Sequence, residues 1–402
     1  MFADSRGTLH TLKDLPFFPK EILVSVNSKN VLRGLHQSPY AKMIYVVRGK
    51  ILDFFWANDG PVHVELAAGQ SVMVPAGSPH GFYALEDSEI VYLLEGMFDP
   101  SLDMNIHWSS PEFNFDLKME HVIISDKDRD APYSRQYDYL VLGASGFLGQ
   151  NCIKHLRAQG KKVLGSTERL EFHLKIAEQI KKSGAKYVIC AAGISGRPTI
   201  EWSETHEEET YKTNYLGVLN LMDVCKDVHL TILGSGLVYT GKKTLYTEDD
   251  PPDLTTKVYC RWRVALEKVL RPNVLYLRII YPCTFDGHPK CFYQKMLARR
   301  DSVHDTVVPL TVIPSLFPRL PKLIESGDTG IFNFVNEGTI SLVDLISAER
   351  SIPGATGYGL STNKLETRID VPNVVTACKA SIVSGPSLHP EYSSYMCRPG
   401  AT

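Results

Sequence analysis

The chain reads Tyr139-Leu140-Val141-Leu142-Gly143-Ala144-Ser145-Gly146-Phe147-Leu148-Gly149 where a buried strand gives way to a helix. Four apolar residues form the strand signal, and Leu148, Cys152 and Leu156 then recur at helical spacing. A glycine-rich turn at this junction lets the backbone approach a pyrophosphate, whose charge the helix N-terminus favours. The stretch therefore predicts a Rossmann-type site for a nicotinamide dinucleotide, the alternative being a plain tight turn. The expected contacts are Gly143, Ser145, Gly146, Phe147, Leu148 and Gly149.

Strand signals and helix signals alternate after this point. Apolar runs at residues 186–190, 230–233 and 274–279 indicate further buried strands, and apolar residues between 211 and 225 repeat on one helix face. Such alternation predicts a doubly wound, parallel α/β sheet.

The first 125 residues have a different pattern. Short apolar runs at residues 43–47, 71–74 and 89–94 are separated by turn residues, which predicts an all-β barrel or sandwich. The polar stretch 125–132 indicates a linker. We therefore expect two domains, 1–133 and 134–384, followed by a tail at 385–402.

The composition is that of an ordinary globular protein. Of 402 residues, 44% are hydrophobic and 22% charged, and the net charge of -2 argues against nucleic-acid or anionic-membrane partners. No apolar run is long enough to span a bilayer, and residues 1–6 lack a signal-peptide core. The eight cysteines form no Cys-x-x-Cys pair, which favours reduced thiols in the cytoplasm over disulfides or zinc.

The end of the second strand of the α/β domain bears on the choice of cofactor. No acidic residue directly ends that strand, whereas Ser166 and Arg169 could hold a 2′-phosphate. The sequence thus favours NADPH over NADH, unless Arg169 is only a solvated surface charge.

Several of these residues together resemble the framework of extended short-chain dehydrogenase/reductases. They are the glycine turn, Ala191-Ala192-Gly193, Asn214, Ser235 and Tyr259. Residues 192–198 with Trp202 are similar to the nucleotide-rhamnose synthases of plants, and the resemblance runs from about 137 to 346. It implies that Ala191, Ala192, Gly193 and Asn214 contact the cofactor and that Arg197 and Lys295 bind substrate. Reduction of a ketone also needs a proton donor and a group that hydrogen-bonds the carbonyl, which Tyr259 and Ser235 would supply.

Two positions depart from this family. Arg263 stands where the family has a lysine, four residues after the tyrosine, that assists the tyrosine and holds the nicotinamide ribose. The resemblance therefore implies that Tyr259 and Arg263 contact the cofactor, but an arginine keeps its charge and cannot readily pass on a proton. Ser203 stands where the plant-type enzymes have a cysteine implicated in epimerisation, and a hydroxyl carries protons poorly compared with a thiol. We therefore expect any epimerisation to take place outside the reductase domain.

The first domain resembles the cupin-fold 3,5-epimerases that act on dTDP-4-keto-6-deoxyglucose. The resemblance rests on residues 31–36, Lys42, residues 77–82 and Tyr92, and extends from residues 4–7 through 106–108 to 125–128. It implies a jelly-roll barrel and, by analogy with related epimerases, a homodimer formed through this domain.

The chemistry of epimerisation fits these residues. A ketone at C4 acidifies the hydrogens at C3 and C5, so inversion needs a base, an acid on the opposite face and a cation for the enolate. His36 is the candidate base, oriented by Asp128, with Tyr92 as acid and Lys42 as the enolate's cation. Arg33 and His80 would complete the polar wall. Arg6 would contact the diphosphate, across a dimer interface.

Simpler interpretations exist for each residue. A lone histidine on a barrel strand is more often a packing residue or a metal ligand, and a lone tyrosine is usually core. A cupin metal site needs a His-x-His cluster, which is missing after His36, so we expect no metal. Residues 97–100 read Met-Phe-Asp-Pro where such epimerases often have paired tyrosines, which leaves open whether C5 is inverted as well as C3.

The leading hypothesis is a bifunctional enzyme that epimerises a nucleotide-4-keto-6-deoxyglucose and then reduces C4 with NADPH to a nucleotide-L-rhamnose. The alternative, motivated by Arg263, is an active epimerase with an inactive reductase domain that binds a cofactor or partner. A cupin storage or transcription-factor module is disfavoured by the catalytic residue set and the charge. The resemblance of the second domain to the plant enzymes suggests UDP as the nucleotide, and the resemblance of the first domain to the cupin-fold epimerases suggests dTDP.

Overall fold

The computed structural model describes residues 2–4, 7–9, 15–57, 60–113, 115, 119, 121–195, 199–299, 303–346, 352–353 and 357–384. The chain divides into two compact units. The first comprises Met1–Gln136 with Lys181–Gly184, and the second comprises Tyr137–Ile180 with Ala185–Thr402.

The first unit is built almost entirely of β-strands. Its elements are β1 Phe2–Asp4, β2 Gly7–Leu9, β3 Glu21–Asn27, β4 Val31–Gln37, β5 Lys42–Arg48, β6 Lys50–Ala57, β7 Gly60–Ala67, β8 Ser71–Val74, β9 Pro79–Ala84, β10 Ser88–Leu94, β11 Met104–Asn105, β12 Ile123–Ile124 and α1 Asp126–Arg129. One sheet has the order β3-β10-β5-β8 and the other β11-β4-β9-β6-β7, with β12 beside β4. All neighbours except β4 and β12 are antiparallel, as in a jelly roll.

Side chains along each strand point alternately to the two faces of the sheet, and those on the inner faces form the interior of this unit. Ile44 and Val46 of β5 are fully buried, and they pack with Phe82 of β9 and Ile90 of β10 in one apolar cluster. The same alternation points polar side chains inward at other positions of these strands, so the interior has an apolar part and a polar part.

The second unit is an α/β sheet with helical connections. Its strands are β13 Tyr139–Leu142, β14 Val163–Ser166, β15 Tyr187–Cys190, β16 His229–Ser235, β17 Leu245–Tyr246, β18 Val274–Ile279, β19 His304–Asp305, β20 Val307–Val308, β21 Gly330–Asn333, β22 Ile340–Ser341, β23 Ile352–Pro353 and β24 Gly359–Leu360. Its helices are α2 Phe147–Ala158, α3 His173–Ser183, α4 Glu207–Tyr211, α5 Gly217–Val224, α6 Val258–Glu267, α7 Phe292–Leu297, α8 Ile313–Leu316, α9 Leu320–Glu325, α10 Leu342–Ile346, α11 Asn363–Glu366 and α12 Val374–Ser384.

The main sheet is parallel, with the order β14-β13-β15-β16-β18-β21. The strand order reverses between β13 and β15, and ligands bind at such a switch point in open α/β sheets. Every residue of β13 is buried, which explains its continuous apolar run. The predicted fold, an all-β domain followed by a doubly wound parallel sheet, is confirmed. No helix in the described part of the chain has both the length and the apolar character needed to cross a bilayer.

Candidate active sites

Four of the predicted epimerase residues lie on strands of the first unit and project into the polar part of the interior. His36 of β4 is directly opposite His80 of β9, so these two side chains share a face. Tyr92 of β10 is opposite the buried Ile44 of β5, two residues from Lys42. Four of the seven predicted residues therefore reach one interior from four strands, namely His36, Lys42, His80 and Tyr92. Arg33 is exposed and donates a hydrogen bond to Asn27.

Asp128 reaches the same place from α1. Its Oδ1 lies 2.8 Å from Nε2 of His36, and its Oδ2 accepts a hydrogen bond of 3.3 Å from the Gly34 amide. Because a carboxylate can only accept, Nε2 carries the proton and Nδ1 keeps its lone pair. Burial opposes ionisation of Asp128, yet the hydrogen bond and charge of His36 bring the pKa of this carboxyl below its usual value. The arrangement makes His36 an oriented base.

A second histidine–carboxylate pair lies deeper and was not predicted. Nε2 of His80 is 2.9 Å from Oδ2 of Asp53 on β6, and both side chains are almost fully buried. Burial lowers the pKa of His80, so this imidazole is neutral near pH 7. Asp53 Oδ1 has no hydrogen-bond partner among the described residues. The only sequence signal for Asp53 was a charged residue at an inward position of an apolar strand.

Lys42 is a buried cation at the start of β5. Its Nζ is 3.4 Å from the hydroxyl oxygen of Ser38, and only 7% of the residue is exposed. Burial lowers its pKa, and the negative charges of Asp103 and Asp53 oppose that shift. A desolvated ammonium group of this kind interacts strongly with negative charge that develops beside it.

A chain of polar contacts connects Tyr92 to Arg33 through the edge strand β3. The Arg33 Nε donates to Asn27 Oδ1 at 2.7 Å, Asn27 Nδ2 donates to the Ser25 hydroxyl at 3.1 Å, and that hydroxyl lies 3.3 Å from the Tyr92 hydroxyl. Burial raises the pKa of Tyr92 to about 12. Tyr92 is therefore protonated at neutral pH, as an acid must be. Ser25 and Asn27 were missed because neither falls in a recognisable motif.

Arg6 lies outside the described residues, so its predicted contact with a diphosphate stays a prediction. Among the residues that the structure describes, no group of three or more His, Cys, Asp or Glu could hold a metal ion.

The glycine turn of the second unit is tightly packed against β15. Gly143 has φ +76°, and a Cβ there would lie 2.7 Å from the Ala192 nitrogen. A Cβ on Gly149 would lie 2.1 Å from the Gly143 oxygen, so glycine is required where α2 crosses the turn. The backbone is thus bare at the N-terminal end of α2, which begins at Phe147 after its N-cap Gly146.

A cavity of about 600 Å³ opens in front of this turn. Predicted cofactor contacts that line it are Gly143, Ser145, Gly146, Arg169, Ala191, Ala192 and Gly193. Its other lining residues are Thr167, Glu168, Leu170, Glu171, Ile194, Glu208, Glu209, Lys212 and Thr213. Seven other predicted cofactor contacts do not line this cavity, namely Phe147, Leu148, Gly149, Ser166, Asn214, Tyr259 and Arg263. The Ser166 hydroxyl is buried and accepts the Glu168 amide at 3.2 Å, so it is used within the turn.

The predicted reductase residues lie at the carboxyl end of β16 and on the first turns of α6. Ser235 ends β16 and is buried, and its hydroxyl accepts the Leu237 amide at 3.1 Å. Tyr259 and Arg263 are one helical turn apart on α6, with the guanidinium carbon 5.5 Å from the centre of the tyrosine ring. Arg263 therefore holds a positive charge against the predicted proton donor.

Asn214 lies in a π-helical turn, Lys212–Leu216, between α4 and α5. Its Oδ1 accepts the Ile194 amide at 2.9 Å, and its Nδ2 donates to the Ile194 carbonyl at 2.8 Å. The π-turn was not predicted, because the sequence spacing there fits an ordinary helix; such turns are frequent at functional sites.

Two features of this unit fit a nicotinamide dinucleotide. The bare glycine backbone suits a pyrophosphate, and buried Arg263 has two nitrogens, Nε and Nη1, without a hydrogen-bond partner among the described residues. Both features are those of a site built for a polar ligand.

The remaining predicted residues fall in different settings. Ser203 is buried and donates its hydroxyl to the Ile200 carbonyl at 2.5 Å, so this group is engaged within a turn. Lys295 lies on α7, where partial burial and then the charges of Lys290 and Arg299 lower its pKa. Arg197 lies outside the described residues.

A jelly roll with an oriented histidine base and a buried lysine and tyrosine, joined to a dinucleotide-type α/β sheet, defines an epimerase–reductase class of two-domain protein. Comparison with known proteins agrees with this. Residues 6–136 match the family model for dTDP-4-dehydrorhamnose 3,5-epimerase, and residues 139–273 match that of the NAD dependent epimerase/dehydratase family. The first part is 30% identical over 131 residues to the dTDP-4-dehydrorhamnose 3,5-epimerase of Shigella flexneri, covering 29% of this chain and 72% of the relative. The chain belongs to the dTDP-4-dehydrorhamnose 3,5-epimerase family, and its second part is similar to the NAD dependent epimerase/dehydratase family.

Further relatives and a solved structure extend this picture. The chain is 29% identical to a bifunctional dTDP-4-dehydrorhamnose 3,5-epimerase/dTDP-4-dehydrorhamnose reductase of Arabidopsis thaliana, over 56% of this chain and 78% of the relative. It is 27% identical to a trifunctional UDP-glucose 4,6-dehydratase/UDP-4-keto-6-deoxy-D-glucose 3,5-epimerase/UDP-4-keto-L-rhamnose-reductase of that plant, over 67% of this chain but only 42% of the relative. The crystal structure of a UDP-rhamnose synthase from Acanthamoeba polyphaga mimivirus shares the fold, with 24% identity and a TM-score of 0.56 over 61% of this chain and 99% of that one.

Proposed function

We propose that the chain is a bifunctional nucleotide-sugar enzyme. Residues 1–133 epimerise a nucleotide-4-keto-6-deoxyglucose at C3 and C5, and residues 134–384 reduce the C4 ketone to give a nucleotide-L-rhamnose. The observation that carries the proposal is the His36–Asp128 pair on a β unit whose interior also contains a buried cation, Lys42, and a protonated tyrosine, Tyr92. The two plant relatives are named for both epimerase and reductase activity, which does not favour an inactive reductase domain.

The epimerase step follows from the geometry of the first unit. Nδ1 of His36 takes the proton beside the ketone, and Asp128 stabilises the imidazolium that forms. Lys42 stabilises the negative charge that moves onto O4. Tyr92 returns a proton from the opposite face and regains one through Ser25. Arg33 and His80 complete the polar wall around the sugar, and Arg6 contacts the diphosphate.

In the reductase step, the bound nicotinamide dinucleotide supplies the hydride. Tyr259 donates a proton to the C4 oxygen, Ser235 hydrogen-bonds that oxygen, and Arg263 supports the tyrosine with a fixed charge. The glycine turn binds the pyrophosphate, with Ala191 and Ala192 beside it, and Arg197 and Lys295 contact the sugar nucleotide. Epimerisation comes first, because the ring hydrogens lose their acidity once the ketone is reduced.

NADPH is the proposed reductant. Arg169 lines the cavity, its side chain is 81% exposed, and its nearest carboxylate oxygen, on Glu171, is 3.9 Å away, so the guanidinium can reach a 2′-phosphate. Glu168 also lines the cavity and would instead suit a free ribose hydroxyl. In an Arg169→Ala variant we expect KM for NADPH to rise while KM for NADH stays unchanged. A wild-type preference for NADH, lost in Glu168→Ala, would contradict the NADPH assignment.

We also propose a homodimer formed through the first unit. Ile22, Val24 and Val26 of the edge strand β3 are 58%, 68% and 73% exposed and point away from the interior. Such an apolar row on an edge strand suits a second copy. Glutamate at Val24 should yield monomers in analytical ultracentrifugation; an unchanged dimer would place the interface elsewhere. The seven described cysteines are free and buried, in keeping with a cytoplasmic location.

The function is tested by supplying the keto-sugar on dTDP and on UDP with NADPH in deuterated water. Deuterium at C3 and C5 together with reduction at C4 is expected with one of the two nucleotides. Without deuterium incorporation the epimerase assignment fails, and incorporation without consumption of NADPH or NADH removes the reductase assignment.

A further inference from the structure

Arg263 is a buried guanidinium that contacts Asn214 and the Tyr259 side chain. The residue is 4% exposed, and its Nη2 lies 3.4 Å from Oδ1 of Asn214. Nε and Nη1 have no hydrogen-bond partner among the described residues. A buried charge of this kind is costly unless a further group pairs with it.

Gly193 provides the space that this guanidinium occupies. A Cβ at position 193 would lie 2.8 Å from Nη2 of Arg263 and 3.3 Å from Oδ1 of Asn214. The first distance is shorter than a van der Waals contact, so a methyl group would displace the tip of Arg263. The requirement for glycine here comes from a side chain, because Gly193 has no positive φ.

Asn214 cannot move to relieve that contact. Both polar atoms of its amide are bonded to the Ile194 backbone, and the π-turn fixes its position. Gly193 and Asn214 thus form two rigid sides of a slot, and Arg263 is the only flexible member.

We propose that Gly193 is a positioning residue for reduction: it admits the guanidinium of Arg263 beside Asn214, which keeps that charge against the ring of Tyr259 and leaves Nε and Nη1 available to the bound cofactor. This inference rests on the proposed reductase function. It explains how an arginine, which is longer and wider than lysine, fits this position while its ring contact with Tyr259 is kept.

The test is a double-mutant cycle with Gly193→Ala, Arg263→Lys and both together. Three quantities are measured: NADPH affinity by nicotinamide fluorescence, the single-turnover rate of ketone reduction, and the melting temperature. Arg261→Lys is the matched control, because Arg261 lies on the same helix but is only partly buried, and its Nη1 pairs with Glu207 at 3.3 Å.

In the wild-type background, Gly193→Ala should lower NADPH affinity and the reduction rate by about 10- to 100-fold, as expected for displaced hydrogen bonds from a charged donor. In the Arg263→Lys background, Gly193→Ala should lower NADPH affinity and the reduction rate by less than about threefold, because the slimmer ammonium group leaves the slot free. Arg261→Lys should leave both quantities unchanged.

Equal losses in the two backgrounds would overturn the proposal, since Gly193 would then act on the backbone and not through Arg263. If Gly193→Ala folds only together with Arg263→Lys, the coupling is upheld; failure to fold in both backgrounds refutes it. A wild-type enzyme that binds NADPH but reduces no keto-sugar would instead refute the proposed function. The NADPH affinities of the four variants in the cycle would still show whether Gly193 acts through Arg263.

Discussion

Replacing Asp128 by asparagine tests the assigned base most sharply. Asparagine can keep the hydrogen bond from the Gly34 amide, so the local backbone should be preserved. Its amide group, however, can donate to Nε2 of His36, which would leave the ring proton on Nδ1 and remove the lone pair that acts as base. The lost bond between His36 and the carboxylate is 2.8 Å long and charge-assisted once the imidazolium forms.

Such a bond contributes about 1.5–3 kcal/mol. Since about 1.4 kcal/mol is a factor of ten, and His36 is 31% exposed, we expect proton exchange at C3 to slow by about 10- to 100-fold. The rate is followed by NMR as deuterium enters the keto-sugar in the absence of NADPH. Asp126→Asn is the matched control, because this aspartate lies on the same short helix with its side chain 85% exposed. Equal exchange rates in Asp128→Asn and wild type would refute the role of the pair.

Further predictions concern both sites and the core. Tyr92→Phe should permit deuterium exchange but stop inversion, because the acid that returns the proton is lost; NMR separates the two, and inversion at the wild-type rate would exclude Tyr92. Tyr259→Phe should abolish consumption of NADPH and leave deuterium exchange intact. Burial lowers the pKa of Lys42, so epimerase activity should fall on the alkaline side below the usual lysine value of about 10.4, and Lys42→Arg should remove that fall from the pH profile. Glu267→Gln leaves the fully buried Arg278 without its carboxylate partner, 2.7 Å away, and should cost about 3–5 kcal/mol of unfolding free energy by denaturant titration.

The class of each domain could be predicted because its signals are local. The run of four apolar residues before Gly143 became β13, which is buried on both faces, and the glycines follow it where the sheet order reverses. In the first domain, short apolar runs bounded by turns became β5, β8 and β10. The spacing of apolar residues and the turn residues that separate the runs are sufficient to predict such elements.

Residues that depend on pairing between distant strands were harder to find. Asp53 meets His80 only because β6 and β9 are neighbours, and Ser25 reaches Tyr92 only because β3 and β10 pair. Nothing in the segments around Asp53 or Ser25 reports that register. Asp128 was found because a family motif, and not its local sequence, indicated it.

The slot around Arg263 shows the same limit in the second domain. The arginine itself was evident as a departure from the expected lysine. Its fit depends on Gly193 and on Asn214 in a π-turn, which come from two other parts of the chain. A helical pattern in the sequence carries no sign of the extra residue in such a turn.

The central claim is that one chain carries out both epimerisation and reduction. It is tested most directly by one NMR time course with the nucleotide-4-keto-6-deoxyglucose, NADPH and the full chain in deuterated water. We expect deuterium at C3 and C5 of a nucleotide-L-rhamnose, with one NADPH consumed per molecule formed. A reduced sugar that retains the starting configuration and carries no deuterium would contradict the claim.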